Sequence, residues 1–306
     1  MVDFDRASYK INSDYSLICI SKRAAMKIDL FNIANFRVDG GAMFGVIPKA
    51  MWWKVYPADE NNLITLALRS LVVDTGDHKI LVDTGWGDKQ DEKFFRYARI
   101  SGGEGLMGGL ESRGLKKDDI TDVFLTHLHA DHCGGALVRN RNSGRIEATF
   151  PNATIHVSRL QWEWAVKNNI READAYPSEN ILPMKDSGRL NLIEREGELF
   201  PGFSFIMCNG HTPGMMLPLI NFKGRTLVYA GDLVPTMAHI PLIWNMSYDI
   251  ESLRTIEEKE NLLKKALEED YILVFQHDEK IECCTVGMTP KGIRALDTFL
   301  FEEIKY

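Results

Sequence analysis

The stretch Leu125–Gly135, LTHLHADHCGG, places three of the chain's eight histidines and an aspartate within six residues and then runs into two glycines. It follows an apolar, β-branched run, Asp122–Thr126, that reads as a strand. His127 and His129 therefore leave the end of a sheet in extended chain, where residues i and i+2 point the same way and two imidazoles can reach one cation. Asp131 and His132 come next in a turning segment that Gly134 and Gly135 are expected to bend tightly, which aims them at a second point close by. A cluster of buried imidazoles and a carboxylate with no cation would be poorly stabilised, so metal binding is the economical reading.

Further ligand types stand in the same context. His211 lies in NGHTPGM, Asp232 in VYAGDLV and His277 in LVFQHD, each after an apolar run that reads as a strand. A rigid sheet can hold a ligand at its rim in this way. Other strand-like runs are Leu63–Leu68, Lys79–Val82, Thr154–Val157, Phe203–Cys208, Thr226–Ala230 and Tyr271–Phe275. Helical periodicity is clearest over Ile250–Glu269, with an apolar stripe of Leu253, Ile256, Leu262, Leu263 and Leu267, and weaker over Asp91–Ile100 and Arg159–Asn168. Strands alternating with helices predict sheets covered by helices in layers.

The order H-x-H-x-D-H, then G-H-T-P-G, then G-D, then a late histidine resembles the metallo-β-lactamase-fold hydrolases, as does the aspartate turn in KILVDTGWG (residues 79–87). The resemblance runs from about Met26 to the C-terminus. It implies an α/β fold of the αββα kind, with two mixed β-sheets packed face to face and helices on the outer faces. It further implies that His127, His129 and His211 bind one metal, that Asp131, His132 and His277 bind the other, that Asp232 bridges them, and that Asp83 orients a ligand without being one. Cys133 is read as a small buried thiol rather than a ligand. Two divalent ions are expected. Zinc suits the donors, and manganese, iron or cobalt fit the same mixed set.

Cations sharing Asp232 would share a water, whose pKa falls from about 15.7 to about 7 on coordination, so that a bridging hydroxide is available to attack a carbonyl carbon or phosphorus. Asp131 and Asp232 are the expected catalytic carboxylates, with Asp131 the candidate for proton transfer. There is no G-x-S-x-G elbow, and neither a Walker loop nor a Rossmann glycine pattern stands in a strand-turn-helix context.

The interval from His132 to His211 and the stretch after Asp232 look most like the quorum-quenching lactonase and methyl-parathion-hydrolase branch. The familiar lactonases carry a tyrosine three residues after the bridging aspartate, where this chain has Pro235. Apolar residues crowd Gly40–Tyr56, expected to form a flap, and Val234–Trp244, expected to line the site. Phe44, Trp86, Met237 and His239 are the candidate pocket residues, and the implied substrate is a small ester, lactone or organophosphate with an apolar part. The alternatives are a metal-dependent phosphodiesterase acting on nucleic acid or nucleotides, and a non-catalytic metal-binding protein. Against nucleic acid stand the net charge of -7 and the sequence pI near 5.7.

No apolar run approaches the ~20 residues of a membrane span, and five cysteines without a C-x-x-C pair suit a reducing, cytoplasmic setting. Trp52 and Trp53 suggest an apolar face for a homodimer. No linker or repeat divides the chain, so residues 26–306 are read as one domain and residues 1–25 as a loosely docked extension. Deleting residues 1–25 is expected to leave thermal stability and activity nearly unchanged, as a melting curve and an initial rate would show.

Overall fold

The computed structural model describes residues 26–304 apart from residue 168. The extension expected over residues 1–25, and Cys19 with it, lies outside the described residues. In chain order the elements are β1 (Lys27–Asp39), α1 (Gly40–Phe44), α2 (Lys49–Trp52), β2 (Leu63–Asp74), β3 (Lys79–Val82), α3 (Glu92–Ala98), α4 (Leu106–Glu111), β4 (Asp122–Phe124), α5 (Ala130–Cys133), β5 (Leu137–Arg139), β6 (Ile146–Ala148), β7 (Thr154–Ser158) and α6 (Arg159–Lys167). They continue with α7 (Ser178–Asp186), β8 (Leu190–Ile193), β9 (Gly197–Phe200), β10 (Phe203–Cys208), β11 (Met215–Phe222), β12 (Arg225–Tyr229), α8 (Ser252–Glu268), β13 (Ile272–Val274), β14 (Cys283–Thr289) and β15 (Gly292–Phe299).

Among these, one six-stranded sheet has the order β1-β2-β3-β4-β7-β8 and a seven-stranded sheet the order β15-β14-β13-β12-β11-β10-β9. Both are mixed: β3, β4, β7 and β8 run parallel, as do β12 and β13, and the other pairs of the two sheets are antiparallel. The sheets meet face to face through Leu71, Ile80, Val82 and Phe124 on one side and Phe203, Phe205, Met216, Ile220 and Val274 on the other. Phe124 meets Phe203 edge-on at 5.2 Å between ring centres. A second apolar layer covers the outside of the first sheet with α1, α2, α6 and α7, and a third packs α8 on the outside of the second through Leu262, Leu263 and Ala266. This is the layered α/β arrangement expected from the sequence. No helix among the described residues is long and apolar enough to cross a membrane. Cys133, Cys208, Cys283 and Cys284 are free and buried.

Several expectations are corrected by packing. Gly134 is helical (φ -57°, ψ -37°) and Gly135 has no positive φ, so neither bends the chain. They permit backbone to lie on backbone. A Cβ on Gly134 would sit 2.0 Å from the Trp86 carbonyl oxygen, and one on Gly135 would sit 2.2 Å from that of Thr84. The Gly40–Tyr56 stretch is no flap, because Phe44 and Trp52 are fully buried and stacked at 5.2 Å. Trp52 therefore cannot line a dimer face, while Trp53 is half exposed. On α8, Leu253 faces solvent. The buried stripe instead includes Lys259, whose amino group donates to the carbonyls of His239 and Trp244 and to Asn245 Oδ1. A loop with unpaired carbonyls is satisfied by a buried amino donor where periodicity alone calls for an apolar residue.

Gly134→Ala is expected to cost at least about 2 kcal/mol of stability, the range of overpacked cores, because the clash is with backbone and no rotamer relieves it. A urea midpoint against the unaltered chain measures this.

Candidate metal centre

Every ligand-type residue singled out in the sequence follows the C-terminal end of a strand on one rim of the sheets. Asp83 follows β3, residues 127–132 follow β4, His211 follows β10, Asp232 follows β12 and His277 follows β13. Two groups of donor atoms converge there, each able to hold a metal ion: His127, His129, His211 and Asp232, and Asp131, His132 and His277. Asp232 lies between them. Its Oδ2 is 3.2 Å from His211 Nε2, 3.8 Å from His127 Nε2 and 3.5 Å from His132 Nε2, while Oδ1 is 3.0 Å from His277 Nε2. Asp131 Oδ2 lies 3.5 Å from His132 Nε2 and 3.8 Å from His277 Nε2.

The outward nitrogen of each imidazole is tethered. His127 Nδ1 meets Thr126 Oγ1 at 3.1 Å, His129 Nε2 meets Glu172 at 3.1 Å, and His132 Nδ1 meets Asp83 at 2.9 Å. His211 Nδ1 meets Asp249 at 3.0 Å, and His277 Nδ1 donates to the Ala67 carbonyl at 2.8 Å. An imidazole that donates its outer N–H points a lone pair inward from the other nitrogen. Those inner nitrogens crowd one another: His127 Nε2 and His129 Nδ1 are 2.9 Å apart, and His129 Nδ1 and His211 Nε2 are 3.2 Å apart. His132 Nε2 and Asp232 Oδ1 are buried with no hydrogen-bond partner. Converging lone pairs and orphaned acceptors fit a cation.

The electrostatics agree. Burial opposes the charged form of His211, yet Asp232 and Asp249 outweigh it and push its pKa up to about 10. Burial likewise works against a charged His132, which Asp131, Asp232 and Asp83 nevertheless hold well above the usual histidine range. His127 moves the other way, lowered by burial and by the neighbouring imidazoles. Asp232 is held well below the usual carboxylate range, as His132, His277 and His211 overcome its burial. Cys133 is no donor to the centre: its thiol donates to the Leu128 carbonyl, and burial pushes its pKa up to about 12.

Beside the centre lies a cavity of about 450 Å³. Its apolar wall is Phe36, Val38, Met43, Leu66, Trp86 and Phe94, and its polar rim is Arg171, Glu172, Asp174, Ser247 and Tyr248, with Asp131, His211, Asp232 and His277 at its base. Arg171 donates to the Ser247 carbonyl, which ties the two rim segments together. Of the four candidate pocket residues, Trp86 lines this cavity. Phe44 does not, being buried between Trp52 and His239. His239 is spent on structure: it stacks on Phe44 at 4.8 Å and bonds the Met43 carbonyl and Thr236 Oγ1, and burial drives its pKa down to about 3. Met237 lines a separate cleft with Tyr56, Pro241 and Trp244. The Val234–Trp244 stretch therefore packs away from the cavity, and residues 171–175 and 246–248 take its place. Pro235 is buried, and its carbonyl accepts from the His277 backbone N–H at 3.1 Å.

Beyond the cavity wall, sequence reasoning missed Glu172 and Asp249, the carboxylates that hold His129 and His211. Both lie in polar loops with no motif around them. The one available signal is general: an imidazole that binds metal usually passes its other N–H to a carboxylate or carbonyl. Glu172 also accepts from Trp164 Nε1 and Asn169 Nδ2, both at 2.7 Å, and its pKa is lowered to about 2, as the bonds from His129 and Asn169 overcome its burial.

The protein-family model of the metallo-beta-lactamase superfamily matches residues 69–277. An N-acyl homoserine lactonase of Bacillus cereus is 27% identical over 177 residues, 55% of this chain and 63% of the lactonase, so the chain spans under two thirds of that relative's length. Among solved structures, a "probable metal-dependent hydrolase from Staphylococcus aureus" is similar at 30% identity and a TM-score of 0.81, over 93% of this chain and all of that one. AidC, a dizinc quorum-quenching lactonase in complex with a product, shares the fold at 22% identity and a TM-score of 0.74, over 91% of this chain and 97% of its own.

Glu172→Gln and Asp249→Asn are each expected to weaken metal binding by roughly 10–100-fold, the usual effect of losing a partner of a ligand histidine. Competition against a chromogenic chelator reads this directly, with the exposed pair member Glu194→Gln as the unchanged control.

Proposed function

Since the chain belongs to the metallo-beta-lactamase superfamily, we propose that it is a dinuclear metal-dependent hydrolase of small esters, with lactones bearing an apolar acyl arm as its favoured substrates. The observation that supports this reading is two adjacent groups of donor atoms, with Asp232 of the first also 3.0 Å from His277 of the second, beside a cavity with an apolar wall. His127, His129 and His211 would hold one ion, Asp131, His132 and His277 the other, and Asp232 both; zinc suits the donors. Bound there, the pair would bring a water's pKa to about 7 and polarise the carbonyl under attack.

The chain's own residues do the rest. Asp131 is the least buried of the seven, at 17% side-chain exposure, and it faces the cavity. Its carboxylate is placed to take a proton from the attacking water and return it to the departing alkoxide, so that lactone plus water becomes a hydroxy acid. Tyr248 lines the cavity, and burial, with Asp39 and Asp131, pushes the pKa of its hydroxyl up to about 12. The proton therefore stays on at neutral pH and is available to the substrate carbonyl. Pro235 has no hydroxyl and is packed against His277, so Tyr248 is the residue that supplies this donor. The apolar wall takes the acyl arm, and the closed ring of Arg171 and Ser247 sets the width of the entrance.

The deciding experiment is a set of initial rates of metal-loaded protein on acyl lactones, aryl esters and phosphotriesters, with Asp232→Ala as control. Lactone hydrolysis is expected to lead, and to vanish in the control; leadership by phosphotriesters would overturn the substrate. Asp131→Asn should lower turnover about 100-fold or more, in line with lost general acid–base catalysis, while metal content by elemental analysis falls much less. Tyr248→Phe should cost roughly tenfold in kcat/KM, the worth of one neutral hydrogen bond.

A further inference from the structure

A second hollow of about 420 Å³ lies behind the first. Its apolar lining is Ile33, Leu68, Ile100, Leu106, Leu137 and Val138, and its polar members are Thr84, Asp88 and Thr149. Among the described residues Trp86 is the one residue common to both walls. Trp86 thus stands between two largely apolar spaces of nearly equal size.

Its main chain cannot swing aside. Gly85 and Gly87 on either side hold φ of 71° and 67°, a Cβ on Gly87 would meet the Gly134 carbonyl oxygen at 2.4 Å, and Gly134 packs against the Trp86 carbonyl in turn. The ring is wedged edge-on between Phe36 at 5.7 Å and Phe94 at 5.3 Å. The indole Nε1 is buried without a hydrogen-bond partner. Buried tryptophans usually find a partner for that N–H. Here the polar handle is unused and the side chain contributes bulk.

We propose that Trp86 sets the length of the acyl arm this enzyme accepts, by closing one apolar channel into a near compartment beside the metal centre and a far compartment lined by β1, β2 and the 100–107 segment. The proposal rests on the hydrolase reading for the identity of the arm, and the geometry of the partition stands apart from it. Apolar contact grows with each methylene buried until the chain reaches the indole; beyond that point further carbons must turn into solvent. A small residue at position 86 joins the two spaces and lets the chain run on.

The test is calorimetric binding of straight-chain fatty acids, from butanoate to dodecanoate, to metal-loaded protein, which requires no turnover. In the unaltered chain the dissociation constant is expected to fall about fourfold per methylene over the shorter acids and then level off. In Trp86→Ala the fall should continue by at least three further carbons, for a gain of about fiftyfold or more on the longest acid. Trp86→Phe keeps most of the wall and loses only an unbonded N–H, so its break point should stay within one carbon of the original; Trp86→Leu is the milder opening should the alanine variant fold poorly by circular dichroism. The same break point in all variants, or no binding of any acid, overturns the proposal. Lactone rates measured in parallel separate the two readings: a break point that moves in a protein inert to lactones keeps the partition and discards the lactonase, whereas active lactonase with an unmoved break point does the reverse.

Discussion

Asp83 sits at the end of β3 with a φ of 56°, a conformation that a non-glycine residue adopts only when its surroundings hold it there. Its carboxylate accepts from the Thr126 backbone N–H and hydroxyl at 2.8 Å, from His132 Nδ1 at 2.9 Å and from Gln276 Nε2 at 3.0 Å. Those donors come from the ends of β4 and β13, one in each sheet. A single buried anion therefore registers two layers against each other and turns His132 towards the centre. Thr126 then relays the arrangement, since its hydroxyl gives its proton to Asp83 and faces His127 Nδ1. The geometry at the rim depends on this bond set more than on any apolar contact, because direction is what lone pairs need and hydrophobic packing does not supply it.

The tethers divide the histidines by origin. His277 is held by backbone on both sides, through the Ala67 carbonyl and through its own N–H to Pro235, so its position follows from the sheets alone. His129 and His211 rely on carboxylates from loops outside the strands, Glu172 and Asp249. The centre is thus part scaffold and part loop, and both parts border the cavity.

That division also explains what could be read from sequence. The histidine run, the aspartate turn and the strands feeding them are local: spacing of two in an extended segment and apolar runs of four to six residues speak for themselves, and Phe203–Cys208 and Lys79–Val82 have the ends the sequence predicts. β11 was illegible because Pro218 and the methionines around it carry little strand signal, although the strand is buried almost throughout. β15 was missed because it alternates weakly and is largely exposed. Glu172 and Asp249 belong to pairs 43 and 38 residues apart in sequence, and no periodicity reports on such a pair. The aromatic stretches misled for a related reason. Composition reports that Phe44, Met237 and His239 want burial, and it is silent on whether a core or a cavity receives them.

Two short segments each carry a wall residue beside a tether. Arg171 borders the cavity and Glu172 holds His129; Tyr248 borders it and Asp249 holds His211. Along this side of the entrance, an inheritable change that reshapes the wall shifts a neighbour that aims an imidazole, so divergence here is constrained by linkage between adjacent codons. The opposite wall is different. Phe36 and Val38 stand on β1, remote in sequence from any tether, whereas Leu66 on β2 adjoins Ala67, whose carbonyl holds His277. A lineage built on this frame would reshape its cavity through β1 sooner than through its loops.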